Sequence, residues 1–200
     1  LLEAGRSGRG QVVDAAMVDG SALLLAMIYS LKGNGLWDER RGHNLIDGGA
    51  PFYGTYQCAC GGWIALGAIE PQFYALFRET CGLHEPVFDQ TMDRAQWPAQ
   101  RAALAAVFAG RSRAEWSALL EGTDACFTPV LSLAEAPEHP HNRARGTFVH
   151  RDGMAQPAPA PRFSRTPAEL REDADLPETA RLLADWGLNR DDIAVLTHHR

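Results

Sequence analysis

The sequence predicts a mixed α/β chain centred on a small α+β unit with arms at both ends, and three observations predict it. First, Phe52 to Cys58 and Trp63 to Ile69 are rich in aromatic and β-branched residues and are joined by Ala59-Cys60-Gly61-Gly62. That is the pattern of a β-hairpin, with the two glycines supplying positive φ at the turn. Second, three later stretches repeat apolar residues at helical spacing behind a proline or a capping box. Third, Ala125 to Leu131 reads as a further strand and Thr147 onward as a second hairpin. The expected organisation is a helix and linker over residues 1–50, the α+β unit over 51–150, and a strap with terminal helices over 151–200.

Residues 1–10 are polar and glycine-rich and read as a loop. Asp14 can cap a helix whose apolar positions recur at Met17, Val18, Leu24, Leu25, Ile28 and Leu31, closed by Lys32-Gly33. Its apolar stripe wraps nearly all round, so it is expected to pack on several sides. A charged linker follows to Asn44. Beyond the hairpin, Pro71 opens a helix to Cys81 with Phe73, Leu76 and Phe77 inward and Gly82 as terminator. Pro98 begins another, with Leu104, Val107 and Phe108 inward and Gly110 at its end. Ser112-Arg113-Ala114-Glu115 is a capping box for a third, burying Trp116, Leu119 and Leu120. Ser132-Leu133-Ala134-Glu135 has the same form. Arg151-Asp152-Gly153 is the turn of the second hairpin, and Gln156 to Pro167 is a proline-rich strap. Glu178 to Leu196 reads as two short helices about Gly187, with Leu182, Leu183, Trp186, Ile193 and Leu196 inward. No internal repeat is visible.

Two hundred residues, 46% hydrophobic and 22% charged, suit a globular chain with a real core. A formal net charge of −6 with scattered arginines argues against a nucleic-acid partner. No apolar run is long enough to span a bilayer, and Leu23 to Ile28 is short and flanked by Asp19 and Lys32, so no membrane partner is expected. There is no signal-peptide pattern. Cys58, Cys60, Cys81 and Cys126 lack the spacing of a zinc site or disulfide framework, so reduced thiols in the cytoplasm are expected and no metal is. His139-Pro140-His141 reads as a solvated turn. The chain opens on Leu1 without a methionine, which suggests one cut from a longer protein.

The stretch with chemical content is Asn44-Leu45-Ile46-Asp47-Gly48-Gly49-Ala50-Pro51-Phe52-Tyr53. Asp47 precedes two residues without side chains, which let a ligand approach the backbone and leave N–H groups to point at it. A carboxyl group beside such donors suits proton transfer next to a carbonyl, the donors holding the enolate oxygen. The alternative is a tight turn in which Asp47 only caps local amides. His43 lies four residues before Asp47 but reads as an exposed linker histidine.

That stretch, together with Gly8-Arg9-Gly10-Gln11-Val12-Val13-Asp14-Ala15-Ala16-Met17-Val18-Asp19-Gly20, resembles the alpha-methylacyl-CoA racemases of the family III CoA-transferase (CaiB/BaiF-like) superfamily. Gly67-Ala68-Ile69-Glu70-Pro71-Gln72-Phe73, Thr123 to Leu131 and Phe163-Ser164-Arg165-Thr166-Pro167 look like the same family in the same order. The resemblance implies the C-terminal portion of a fold that forms interlocked homodimers, with most of a Rossmann-like large domain missing. It implies inversion of the centre beside the thioester carbonyl of a 2-methylacyl-CoA, with coenzyme A part of the substrate and no cofactor. Asp47 matches the family's catalytic aspartate, and Gly48, Gly49 and Tyr53 would then meet the acyl-CoA. A glutamate after the Pro-Val-Leu strand supports the family's catalytic histidine, which makes Glu135, or else Glu138, its candidate. That histidine maps onto none of the seven here, so the chain alone is expected to be inactive. A family III CoA-transferase using Asp47 as nucleophile is the alternative within the superfamily, and a non-catalytic remnant is the alternative outside it.

Overall fold

The computed structural model describes residues 1–170 and 179–197. Its compact units run Leu1–Leu131 and Ser132–Arg200. This is a different division from the one drawn at 50 and 150. Asn44, Ala50 and Phe52, on either side of position 50, are all buried in the first unit.

In the first unit the expected hairpin forms. Strands β1 (Tyr53–Gln57) and β2 (Trp63–Gly67) pair antiparallel, Tyr53 opposite Gly67 and Gln57 opposite Trp63. Gly61 alone supplies the positive φ, at 79°. Gly62 instead makes room, because a Cβ there would meet the Arg113 side chain and the Cys60 sulfur at 3.3 Å. Strand β3 (Phe127–Val130) adds antiparallel to β2 and ends the sheet. Pro129 is tolerated there because an edge strand can leave a backbone donor out of the ladder.

Three helices cover one face of this sheet. They are α4 (Pro71–Cys81), α5 (Trp97–Phe108) and α6 (Arg113–Leu120), as the prolines and capping box predict. The core is aromatic. Phe108 stacks on Tyr56 at 5.0 Å and on Phe77 at 5.9 Å, and meets Trp116 edge-on at 5.1 Å. Tyr74, which the helical spacing did not single out, is buried on α4 beside Phe77. In the Ser112 capping box, Ser112 Oγ accepts from the Glu115 N–H and Glu115 Oε2 accepts from the Ser112 N–H. Ser112→Ala is therefore expected to cost about 1 kcal/mol, read as a lower denaturant midpoint at unchanged slope. An unmoved midpoint would remove the cap from the account.

The N-terminal arm departs from expectation. Residues 2–7 form a helix, α1 (Leu2–Ser7), closed by Gly8 at φ 69°, with Glu3 in its first turn and Arg6 in its last to favour the helix dipole. The long helix predicted after Asp14 is two, α2 (Met17–Leu24) and α3 (Ala26–Gly33), and Ala16 rather than Asp14 is the cap residue. The break falls at Leu25, at φ −85° and ψ 3°, one turn after the weak helix formers Gly20 and Ser21. Neither helix buries a side chain, and Leu24 is 86% exposed.

In the second unit α7 (Pro140–Arg145) takes the place of the turn expected at His139-Pro140-His141, with His139 as its cap residue. Strands β4 (Phe148–Arg151) and β5 (Met154–Pro157) make the second hairpin, turned by Asp152 and Gly153 at φ 51° and 76°. Helices α8 (Thr179–Asp185) and α9 (Arg190–Thr197) flank Gly187 at φ 89°. Glu178 lies outside the described residues. Of the side chains expected inward here, Leu183 and Ile193 are half-buried, but Trp186 is 81% and Leu196 61% exposed. Among the described residues, no helix is long and apolar enough to cross a membrane, and no group of His, Cys, Asp or Glu side chains is placed to hold a metal ion.

Candidate functional site

The loop that carries Asp47 is folded about its carboxylate. Oδ1 accepts from the N–H groups of Asn44 at 2.8 Å and Gly49 at 3.1 Å. Oδ2 accepts from the N–H groups of Gly42 at 3.1 Å and His43 at 3.3 Å, and from Asn44 Nδ2 at 2.7 Å. Burial would raise the Asp47 pKa, but the Asn44 side chain and the N–H groups of Asn44, Gly49 and His43 outweigh it and hold the group below the usual carboxylate range. The five donors therefore favour the charged form of the group. This is the capping arrangement that the stretch allows, while the match of Asp47 to the family's catalytic aspartate rests on the resemblance.

The two glycines serve this arrangement in different ways. The Gly49 N–H is spent on Asp47 rather than left for a ligand, and Gly49 is there for closeness of backbone to backbone. A Cβ on it would lie 2.7 Å from both the N and the O of Asn44 and 2.8 Å from the Gly42 carbonyl. Gly48 turns the chain at φ 88° with open space around it. Tyr53 starts β1, 37% exposed, its N–H donating to Ala50 O at 3.1 Å. Its ring stays available at the surface. His43 is half-buried at the lip of the loop.

Two residues that the sequence did not single out complete the structure. Asn44 is 1% exposed; its Oδ1 accepts from the Asp38 N–H at 2.7 Å, and its Nδ2 donates to Asp38 O at 2.8 Å as well as to Asp47. Its place three residues before Asp47 is a signal that could have found it. Arg101, on α5, donates through Nη2 to the carbonyls of Gly48 and Ala50 and lies over the Tyr56 ring at 5.5 Å. No local pattern marks it, because its partners are 51 and 53 positions away. Between loop and helix lies a cleft of about 200 Å³ lined by Gly42, His43, Gly49, Arg94, Trp97 and Arg101. A larger apolar cavity of about 630 Å³ lies beside it, walled by Met27, Leu31, Trp37, Leu45, Ile46 and Met92.

Glu135, in the second unit, is likewise a cap. Its Oε2 accepts from the Ser132 N–H at 2.8 Å, and its own N–H donates to Ser132 Oγ at 3.2 Å. The box opens a short 3₁₀ turn over Ala136–Glu138 instead of an α-helix. Glu138 pairs with Arg143 at 3.5 Å.

Residues 1–180 match the CoA-transferase family III model. The chain belongs to that family. Mouse alpha-methylacyl-CoA racemase is 45% identical over 205 residues, covering 100% of this chain and 54% of the mouse protein. The human protein of the same name is 41% identical over 200 residues, 98% of this chain and 52% of its own length. The chain thus spans about half the length of the curated relatives it matches. A CAIB/BAIF family protein from Brucella suis shares the fold with a TM-score of 0.59 at 23% identity, over 84% of this chain and 46% of that one. Within this CoA-transferase family III chain, the clamp loop joins the N-terminal helices to the first strand of the sheet.

Proposed function

We propose that this chain supplies part of an enzyme that racemises 2-methylacyl-CoA thioesters. The observation that carries this reading is 45% identity along the entire chain to a protein named for that activity. In the reaction a base takes the proton from the carbon beside the thioester carbonyl, the C–H electron pair becomes the enolate, and an acid returns a proton to the opposite face. Nothing is oxidised or reduced, so the chemistry calls for no redox group, and coenzyme A enters with the substrate. In this reading Asp47 serves as the clamp that holds residues 42–49, and Glu135 as the cap of its own turn, while other groups move the protons. A nucleophilic Asp47, as a transferase would need, is disfavoured because both of its oxygens already accept from the loop. The exposed apolar side chains of α2 and α3 suit a larger assembly, and an interlocked homodimer is the arrangement we propose for the whole protein. Its unpaired cysteines suit a reducing compartment such as the cytoplasm.

The test uses the complete gene product with one enantiomer of a 2-methylacyl-CoA in deuterated water. Deuterium at C2 together with loss of optical purity is the expected result. Transfer of CoA to an added free acid without exchange would replace the racemase reading by a transferase. Neither reaction would leave a non-catalytic binding role.

A further inference from the structure

The cleft between the clamp loop and α5 carries positive charge that the fold does not neutralise. Arg94 and Arg101 both border it. Each uses one guanidinium nitrogen on backbone carbonyls: Arg94 Nη2 donates to Leu36 O at 2.8 Å, and Arg101 Nη2 to Gly48 O and to Ala50 O at 3.0 Å. Among the described residues, no ion pair ties either one to a carboxylate. The neighbouring acids are occupied elsewhere. Asp47 is turned into its loop, Asp38 holds Arg40, and Asp93 accepts from Ala95 and Gln96. The guanidinium groups lie over rings, Arg94 over Trp97 at 6.0 Å and Arg101 over Tyr56 at 5.5 Å, and their Nε and Nη1 donors make no hydrogen bond among the described residues. The N-terminal end of the twelve-residue α5 reaches the same cleft through Trp97 and Pro98, and no side chain caps it. Its dipole adds to the positive potential. On the opposite wall Gly42 and Gly49 present backbone with no side chain, and His43 adds a further ring nitrogen.

We infer that this cleft binds a phosphoryl group. Two guanidinium groups without an internal counter-ion balance the charge of one phosphoryl dianion, whereas a carboxylate neutralises only one of them. The guanidinium fork also matches a phosphate's oxygens. Two sources can deliver the group: free inorganic phosphate, or a phosphate of coenzyme A. The site stands whether or not the racemase reading does, since it rests on the cleft and not on the chemistry at C2.

The experiment titrates the complete gene product at low ionic strength with inorganic phosphate, coenzyme A, 3′-dephospho-coenzyme A and acetate, followed by calorimetry. Saturable binding of phosphate, weakened at least about tenfold in both Arg94→Gln and Arg101→Gln, is expected. Binding of coenzyme A with the same sensitivity, but not of free phosphate, keeps the site and names a phosphate of coenzyme A as its source. Retention on removing the 3′-phosphate places the diphosphate there. Because Arg101 also supports the loop, far-UV circular dichroism accompanies each variant, and Arg94→Gln alone decides if Arg101→Gln does not fold. Acetate binding as tightly as phosphate, binding that both folded variants preserve, or no saturable binding of phosphate or coenzyme A would each overturn the inference. Deuterium exchange at C2 reads the racemase proposal separately.

Discussion

Gly49→Ala is expected to destabilise the first unit by about 3 kcal/mol, the upper part of the range for forcing a methyl group into packed structure. The added Cβ would stand 2.7 Å from two backbone atoms of Asn44 and 2.8 Å from the Gly42 carbonyl. Backbone can yield only if its anchors do, and Asn44 is tied to Asp38 through both of its side-chain polar atoms and to Asp47 through two N–H bonds. The comparator is Gly48→Ala, where a Cβ meets open space but the residue must keep φ at 88°. That change is expected to cost about 1 kcal/mol, the usual penalty for a left-handed residue with a side chain. Guanidinium unfolding of the two variants side by side decides the matter. If Gly49→Ala proves no worse than Gly48→Ala, the close approach at Gly49 is not what the loop depends on.

Asp47→Ala is expected to cost a similar amount, about 3 kcal/mol, because it strands several partly buried N–H donors at once. The donors are the N–H groups of Gly42, His43, Asn44 and Gly49 and the Asn44 amide. Asp47→Asn keeps one acceptor but sets an NH₂ against donors, so it should recover only part of the loss. A pH series gives an independent check. The folded carboxyl group has its pKa lowered relative to the unfolded chain, so the folded state binds fewer protons. Its contribution is therefore complete above the unfolded value of about 3.9 and is lost as pH falls through the lower folded value. The stability gap between the parent protein and Asp47→Asn should stay level from pH 7 to about 5 and shrink below about 4. A gap that does not change with pH would mean that the carboxylate's charge is not what holds the loop. Activity of the complete protein separates this clamp from a proton-transfer role. Loss of C2 exchange that follows the lowered melting temperature fits the clamp, whereas loss of exchange at unchanged stability would return Asp47 to the chemistry.

Much of the framework was legible because its signals are local. Gly61 at a two-strand turn, Pro71 at a helix start, Ser112 with Glu115 three residues on, and Asp152-Gly153 between two short strands each specify backbone geometry within a few residues. The family resemblance was legible for the same reason, as it lies in contiguous runs such as Asn44 to Tyr53. The N-terminal helices were less so. Residues 17–33 read as one apolar helix, but their interruption at Leu25 depends on weak helix formers in a segment that buries no side chain, where propensity is not overruled by packing.

The candidate site divides along the same line. By itself the sequence determined that a carboxylate precedes two glycines, and that such a group either moves a proton or caps a turn. What the tertiary structure decided is where the Asp47 oxygens point, since five donors of the folded loop converge on them. Arg101 is the plainest case. Nothing within its own helix says that it will reach carbonyls more than fifty positions earlier, since that distance closes only when α5 packs against β1. Local sequence sets torsion angles, but the partners of a charged group, and hence its chemistry, are set by which distant segments the core brings together.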